Sequence, residues 1–171
     1  MQKKTYQFAL KKVTYYFDAD YSQLSKIADK SNAIVITDEN IFKCYSKKLA
    51  GWKTIVINSG EGFKKQSTVD SIIAQLIGFE ADRKTMLIGM GGGVVTDITG
   101  YVAAIYMRGI KFGFVPTSVL AMVDAAIGGK NGIDVGVYTD IDGQTRPQGV
   151  GFDIGVDEVP VVRVHLPLIL R

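Results

Sequence analysis

Three charged side chains and one glycine run are the groups of this chain whose type and spacing could do chemistry. Gly89-Met90-Gly91-Gly92-Gly93-Val94-Val95-Thr96-Asp97 sets three consecutive glycines between an apolar run and an amphipathic one. Without Cβ atoms the backbone can approach a large anion closely, and a helix starting there aims its free N–H groups and positive dipole end at it. A tight strand-to-helix turn is the competing explanation, but one glycine would make that turn. The triple run therefore favours a phosphate or pyrophosphate seat. Asp97, one turn into the helix, either answers the dipole or holds a ribose or amide; taken alone, the first is favoured. Asp124 stands among Ala121, Met122, Val123, Ala125, Ala126 and Ile127, where a carboxylate is costly unless partnered. Lys130 follows Gly128-Gly129, a flexible backbone suited to presenting a cation to a phosphate. Arg108 falls at a helix end, where the dipole favours a cation. Together Arg108, Asp124 and Lys130 suggest an anionic, phosphorylated small-molecule substrate with one hydroxyl held by the carboxylate. A single His165 and a single Cys44 give neither a three-ligand zinc site nor a disulfide or Cys-x-x-Cys knuckle.

The elements that must position these groups follow from hydrophobic periodicity. Tyr6 to Ala9 and Val13 to Phe17 alternate and predict a small N-terminal β-hairpin. A helix is expected over Tyr21–Lys30, with Asp20 as N-cap. Ala33 to Thr37 is a short apolar run, the pattern of a strand buried on both faces. A helix over Ile41–Leu49, a strand over Thr54–Ile57, a helix over Thr68–Phe79 and a strand over Thr85–Ile88 repeat the alternation. After the glycines come a helix over Val94–Ala104, a strand over Phe112–Val115 stopped by Pro116, and a short helix over Ser118–Ala126. The succession β-α-β-α-β predicts an α/β fold with right-handed crossovers and a parallel, Rossmann-like sheet flanked by helices. Residues 139–171 show no helical period and no convincing strand before a closing apolar run.

In such a sheet the ligand crevice lies beyond the carboxyl ends of the strands. The candidates there are Asp38-Glu39-Asn40, Ser59-Gly60-Glu61-Gly62, Gly89 to Gly93 and Thr117-Ser118, all on one rim. Asp38 or Glu61 could accept from ribose hydroxyls or could simply cap a helix. Lys64 could meet a cofactor phosphate, but a solvated surface lysine is favoured. At 171 residues and 47% hydrophobic composition the chain fits one domain with a real core. Its net charge of +3 comes from dispersed lysine pairs rather than one stripe, which makes nucleic acid a poor partner. No apolar run nears the roughly 20 residues of a membrane span, so a cytoplasmic location is expected.

The segments Gly91 to Gly100, Tyr106-Met107-Arg108-Gly109 and Val115 to Lys130 resemble, in order, the 3-dehydroquinate synthases, sugar-phosphate cyclases of the shikimate pathway. Ser59-Gly60-Glu61-Gly62-Phe63-Lys64 is similar to that family's acidic cofactor loop, and Thr37-Asp38-Glu39-Asn40 to its first ribose-side turn. The likeness covers about residues 1–138 and implies an NAD-binding α/β domain there. It implies a lyase that uses NAD and a divalent metal, usually zinc or cobalt, to turn 3-deoxy-arabino-heptulosonate 7-phosphate into 3-dehydroquinate. A substrate hydroxyl is oxidised transiently, phosphate is eliminated, the carbonyl is reduced back, and the ring recloses by an aldol step. By the same resemblance Asp38, Asn40, Glu61, Lys64, Gly92, Gly93, Val94, Val95, Thr96, Asp97, Thr117 and Ser118 line NAD. Asp124 holds a substrate hydroxyl near the metal, Lys130 binds the substrate phosphate, and Arg108 reaches into the site of a neighbouring subunit, which implies a homodimer.

Two departures qualify what is expected. Downstream of Lys130, where the family has a Lys-Asn pair, this chain has Thr139-Asp140, which removes a cation and adds an anion. The family's second, helical domain, with a Glu and two His as metal ligands, has no counterpart in 139–171. The chain is thus expected to be a cofactor domain without metal ligands that binds NAD weakly at best and does not turn over alone. Iron-dependent polyol and glycerol dehydrogenases share the Gly-Gly-Gly-x-x-x-Asp turn, but they carry a lysine where Gly100 stands. Inosose- and valiolone-forming cyclases share most of the motifs. A non-catalytic nucleotide-binding fragment that pairs with a full-length subunit is the remaining alternative.

Overall fold

The computed structural model describes residues 1–8, 11–19 and 21–123. Two strands, β1 (Gln2–Phe8) and β2 (Lys11–Phe17), form an antiparallel hairpin apart from the main sheet, in the register Tyr6 opposite Val13. Tyr15 joins its neighbours on one face, edge-on to Tyr6 at 5.6 Å and stacked on Phe17 at 6.1 Å between ring centroids. The main sheet contains β3 (Ala33–Asp38), β4 (Lys53–Ile57), β5 (Met86–Gly91) and β6 (Lys111–Pro116) in the order β4-β3-β5-β6, every neighbouring pair parallel.

Helices cover both faces, which is why β3 can be apolar from Ala33 to Ile36. On one face α3 (Gln66–Gly78) and α4 (Gly93–Ile105) bury Val69, Ile72, Leu76, Ile98 and Val102 against Ile34, Ile36, Leu87, Phe112 and Phe114. On the other, the short α1 (Leu24–Ile27), α2 (Glu39–Tyr45) and the turn after it bury Leu24, Tyr45, Leu49 and Trp52 against Ala33, Val35, Ile88, Met90 and Val115. Alternate residues of β3 thus serve opposite cores. Each such Ile, Leu or Val contributes about 1.5–3 kcal/mol through burial. A last helix, α5 (Val119–Val123), follows β6. Among the described residues no helix is long and apolar enough to cross a membrane.

The expected alternation is present, and this is the Rossmann-like α/β fold, with its hairpin, that the pattern predicts. The hairpin strands begin earlier than expected, at Gln2 and Lys11, the helix expected over Ile41–Leu49 is α2 and ends at Tyr45, and three further details differ. The helix expected over Tyr21–Lys30 is a 3-10 turn at Tyr21–Gln23 followed by α1 alone, and Ala28 is already extended. Asp29 draws the chain away, its carboxylate accepting from the Ser31 amide at 3.0 Å and hydroxyl at 2.7 Å, a local turn that competes with helix. Asp20 lies outside the described residues. Pro116 does not stop β6 short: it is the last residue of the strand, paired with Gly91. The next amide, of Thr117, donates to the Gly91 carbonyl at 2.9 Å, so the N–H that proline lacks would point away from β5. Finally, β5 runs through Gly91, so two of the glycines belong to the sheet.

Candidate functional site

All four strand ends with carboxyl direction fall on one side, as the parallel registers Asp38 to Ile57, Thr37 to Met90 and Gly91 to Pro116 require. From β3 the chain crosses by α2 to β4 on one flank; from β5 it crosses by α4 to β6 on the other. The strand order therefore reverses between β3 and β5, and a crevice at such a switch point is where ligands of open α/β sheets bind. A buried bond from the Thr37 hydroxyl to the Met90 carbonyl, 2.7 Å, ties the two strands just below it.

The glycine run divides at this point. A Cβ on Gly89 would lie 2.7 Å from the Thr99 hydroxyl oxygen and 2.9 Å from its Cβ; one on Gly91 would lie 2.5 and 2.6 Å from Cγ2 and Cβ of Val95. These two glycines are notches into which α4 packs. They correct the expectation that Gly91, Gly92 and Gly93 are all bared for an anion. Only Gly92 and Gly93 remain open: Gly92 would place a Cβ 3.6 Å from the Ser118 hydroxyl, and Gly93 has nothing within 4 Å. Gly92 is the N-cap of α4 and offers no side chain to the first amides, which leaves N–H groups of the first turn available at the rim. The Gly92 carbonyl accepts the Thr96 amide at 3.1 Å, and the Thr96 hydroxyl bonds the Gly92 and Gly93 carbonyls at 3.2 and 2.9 Å. Val95 and Thr96 are buried, so the Thr96 side chain and amide are committed inside the helix, and Val94 is half-buried.

At the end of β3, Asp38 caps α2, one carboxylate oxygen accepting from the Asn40 and Ile41 amides at 2.9 Å each. Asn40 itself is exposed. Glu39 reaches sideways to the end of β4, its Oε1 accepting from the Ser59 hydroxyl at 3.1 Å and amide at 3.4 Å. Its only sequence signal was its place beside a strand end.

Past β4 a 3-10 turn at Glu61–Phe63 leads to Lys64. The expectation of a solvated lysine fails here. Its Nζ lies 2.7 Å from Asp97 Oδ2 and 3.5 Å from Glu61 Oε1. Burial works to lower the pKa of this ammonium, but the hydrogen bond and charge of Asp97, with those of Glu61, outweigh it and leave it above 10.5. Asp97, in turn, does not serve the dipole from the first turn of α4; it is buried and ion-paired.

At the end of β6, the Ser118 hydroxyl accepts from the Ala121 amide at 3.2 Å and so caps α5, facing Gly92 across the crevice. Thr117 is half-buried beside it. Arg108 is not brought to this rim. It lies past the other end of α4, in a turn where Met107 and Arg108 are both left-handed, at φ 51° and 67°, before Gly109 at φ 104°. A 13-residue α4 separates it from Gly93 by about 20 Å. Asp124 and Lys130 lie outside the described residues. Among the described residues no three His, Cys, Asp or Glu side chains gather as metal ligands.

The family model described as 3-dehydroquinate synthase N-terminal matches residues 54–156. The 3-dehydroquinate synthase of Saccharolobus solfataricus is 43% identical over 118 residues, covering 68% of this chain and 33% of that protein. That of Pyrococcus abyssi is 55% identical over 80 residues, 47% of this chain and 24% of its own length. This chain thus spans a third or less of these curated relatives. Among solved structures, the 2-epi-5-epi-valiolone synthase ValA of Streptomyces hygroscopicus, determined with NAD+ and Zn2+ bound, superposes with a TM-score of 0.65 at 26% identity, over 94% of this chain and 45% of that one. The family match takes in the notched and open glycines, the Lys64–Asp97 pair and the Arg108 turn alike, and the chain belongs to the 3-dehydroquinate synthase N-terminal family.

Proposed function

We propose that residues 1–138 form the NAD-binding domain of a 3-dehydroquinate synthase, the lyase that converts 3-deoxy-arabino-heptulosonate 7-phosphate to 3-dehydroquinate. The observation that carries this reading is the uncapped start of α4 at Gly92–Gly93, open at the switch point of the sheet. A dinucleotide fits there chemically: the pyrophosphate would take the first-turn amides of Gly93, Val94 and Val95, and the helix dipole would favour its charge. Asp38 and Asn40 border the crevice from β3, Glu61 and Lys64 from β4, Asp97 from α4 beside Thr96, and Thr117 and Ser118 from β6. NAD, when bound, supplies reversible oxidation of a substrate hydroxyl. Asp124 and Lys130 are assigned to the sugar-phosphate substrate on the resemblance. Arg108, far from its own rim, is assigned to the site of a second copy in a homodimer. The NAD+ and Zn2+ named for the ValA structure support both cofactors for the family, and the described residues hold no ligand set for the metal. We assign the protein to the cytoplasm.

Isothermal titration with NAD tests the reading. Saturable one-to-one binding is expected, and no heat at millimolar NAD would overturn it. With substrate, NAD and zinc, the 171 residues alone are expected to form no dehydroquinate; product formation would show that catalysis needs nothing beyond them.

A further inference from the structure

We propose that Glu39 is a positioning residue of the dinucleotide site, acting through Ser59 to fix where the loop over residues 59–65 stands at the rim. The assignment rests on the NAD reading above and adds to it a residue outside the set assigned to the cofactor. Ladder pairing between β3 and β4 ends at Asp38 opposite Ile57. At Glu39 the chain has already turned into α2, so past Ile57 the loop can no longer draw on the backbone of β3. The Glu39 side chain takes over there. Its Oε1 accepts from the Ser59 hydroxyl at 3.1 Å and from the Ser59 amide at 3.4 Å, between residues 20 apart in the chain. Asp38 already caps α2, which leaves the Glu39 carboxylate free to serve the neighbouring loop.

That loop has little to hold it from within. Gly60, at φ 107°, and Gly62 flank Glu61, and a Cβ on either would meet nothing within 4 Å. The backbone around Glu61 is therefore both permissive and unpacked. Its own bonds are local, the Phe63 amide donating to the Gly60 carbonyl at 3.1 Å and the Lys64 amide to the Glu61 carbonyl at 2.9 Å. They close the turn on itself without tying it to the sheet. The Lys64–Asp97 ion pair holds the far end of the loop to α4, and Glu39 holds its entrance to α2. With both ends held, Glu61 and Lys64 are offered to the cofactor from a loop already in place, and binding has less ordering to supply.

Calorimetric titration with NAD, run beside urea unfolding, tests this on wild type, Glu39→Ala, Glu39→Gln, Ser59→Ala and the Glu39→Ala/Ser59→Ala double variant. Glu39→Ala is expected to weaken NAD binding about fivefold, because the loop must then be ordered by the ligand. Glu39→Gln keeps an oxygen that can accept both bonds and is expected to bind within about twofold of wild type. Ser59→Ala loses the hydroxyl but keeps the amide, and should fall between the two. The double variant should bind no more weakly than Glu39→Ala alone. A folded Glu39→Ala chain with wild-type affinity overturns the proposal, even if its unfolding midpoint falls, since a bond that only stabilises the fold leaves the affinity of the folded chain unchanged. So does a Glu39→Gln chain that binds as weakly as Glu39→Ala, which would make the charge itself the ligand's contact. Both outcomes leave the NAD reading intact, whereas a wild-type chain that does not bind NAD overturns both. Should Glu39→Ala prove too unstable to assay, Ser59→Ala decides the case, because wild-type affinity there overturns the proposal.

Discussion

Two helices begin on the same rim, α2 at the end of β3 and α4 at the end of β5, and only one of them is closed. Asp38 folds back onto the first amides of α2, whereas Gly92 offers α4 nothing. A capping side chain is worth only a few tenths of a kcal/mol over glycine, so α4 forgoes a small stability that α2 keeps. The same contrast recurs inside the glycine run. Gly89 and Gly91 are small because Thr99 and Val95 fill the space, while Gly92 and Gly93 are small with the space left empty. A missing side chain marks a ligand seat only where nothing in the protein itself has taken its place.

That contrast can be broken by substitution. The largest effect is expected from Gly91→Ala, whose Cβ would sit 2.5 Å from the branched Val95 side chain; overpacking of this kind costs about 1–3 kcal/mol. Urea unfolding should show the loss, and an unchanged midpoint would mean that Gly91 is no notch. Gly92→Asp inverts the experiment. The position has room and an ordinary φ of −77°, so the carboxylate can cap α4, adding a few tenths of a kcal/mol while repelling a pyrophosphate. NAD binding should fall about tenfold or more, about 1.4 kcal/mol, in a chain no less stable than wild type; retained binding would remove the seat from α4. Asp38→Ala should cost about 1 kcal/mol of stability through α2, and Asp38→Asn should recover most of it. If Asp38→Ala unfolds like wild type, the difference between the two helix starts has no energetic content.

The smallest effect concerns Lys64 and pH. Its pKa in the fold is raised above 10.5, so its stabilising contribution is complete below about 10.5. It is lost as pH climbs through the folded value. Stability should therefore fall at the alkaline edge more steeply in wild type than in Lys64→Gln, which has no ammonium beside Asp97 to lose its proton.

How much of this was legible in the sequence follows from the range of each interaction. The sheet and its direction were readable because β3 is apolar on both faces and helical periods separate the strands. The rim was readable because parallel direction alone places every strand end together. The end of α1 was not, since an aspartate that bonds a serine two residues on looks no different in sequence from one that caps a helix. The roles of Gly89 and Gly91 were hidden because the extent of β5 is fixed by its pairing with β6, with Gly91 opposite Pro116. Lys64 was misjudged for a like reason. Its partner Asp97 is remote in the chain, and only the crossing of β3 brings the two within an ion pair.

The notches that hold α4 have a mechanical consequence. With Val95 and Thr99 seated in β5, the helix can neither slide nor roll without lifting a side chain out of its socket, so its first amides stand ready before any ligand arrives. Association at that end then costs little ordering. Beyond the first-turn amides that the ligand takes, amide exchange along α4 should barely change when the crevice fills. The slowing should instead concentrate in the Ser59–Lys65 loop, which is tied to α4 by the Lys64–Asp97 ion pair.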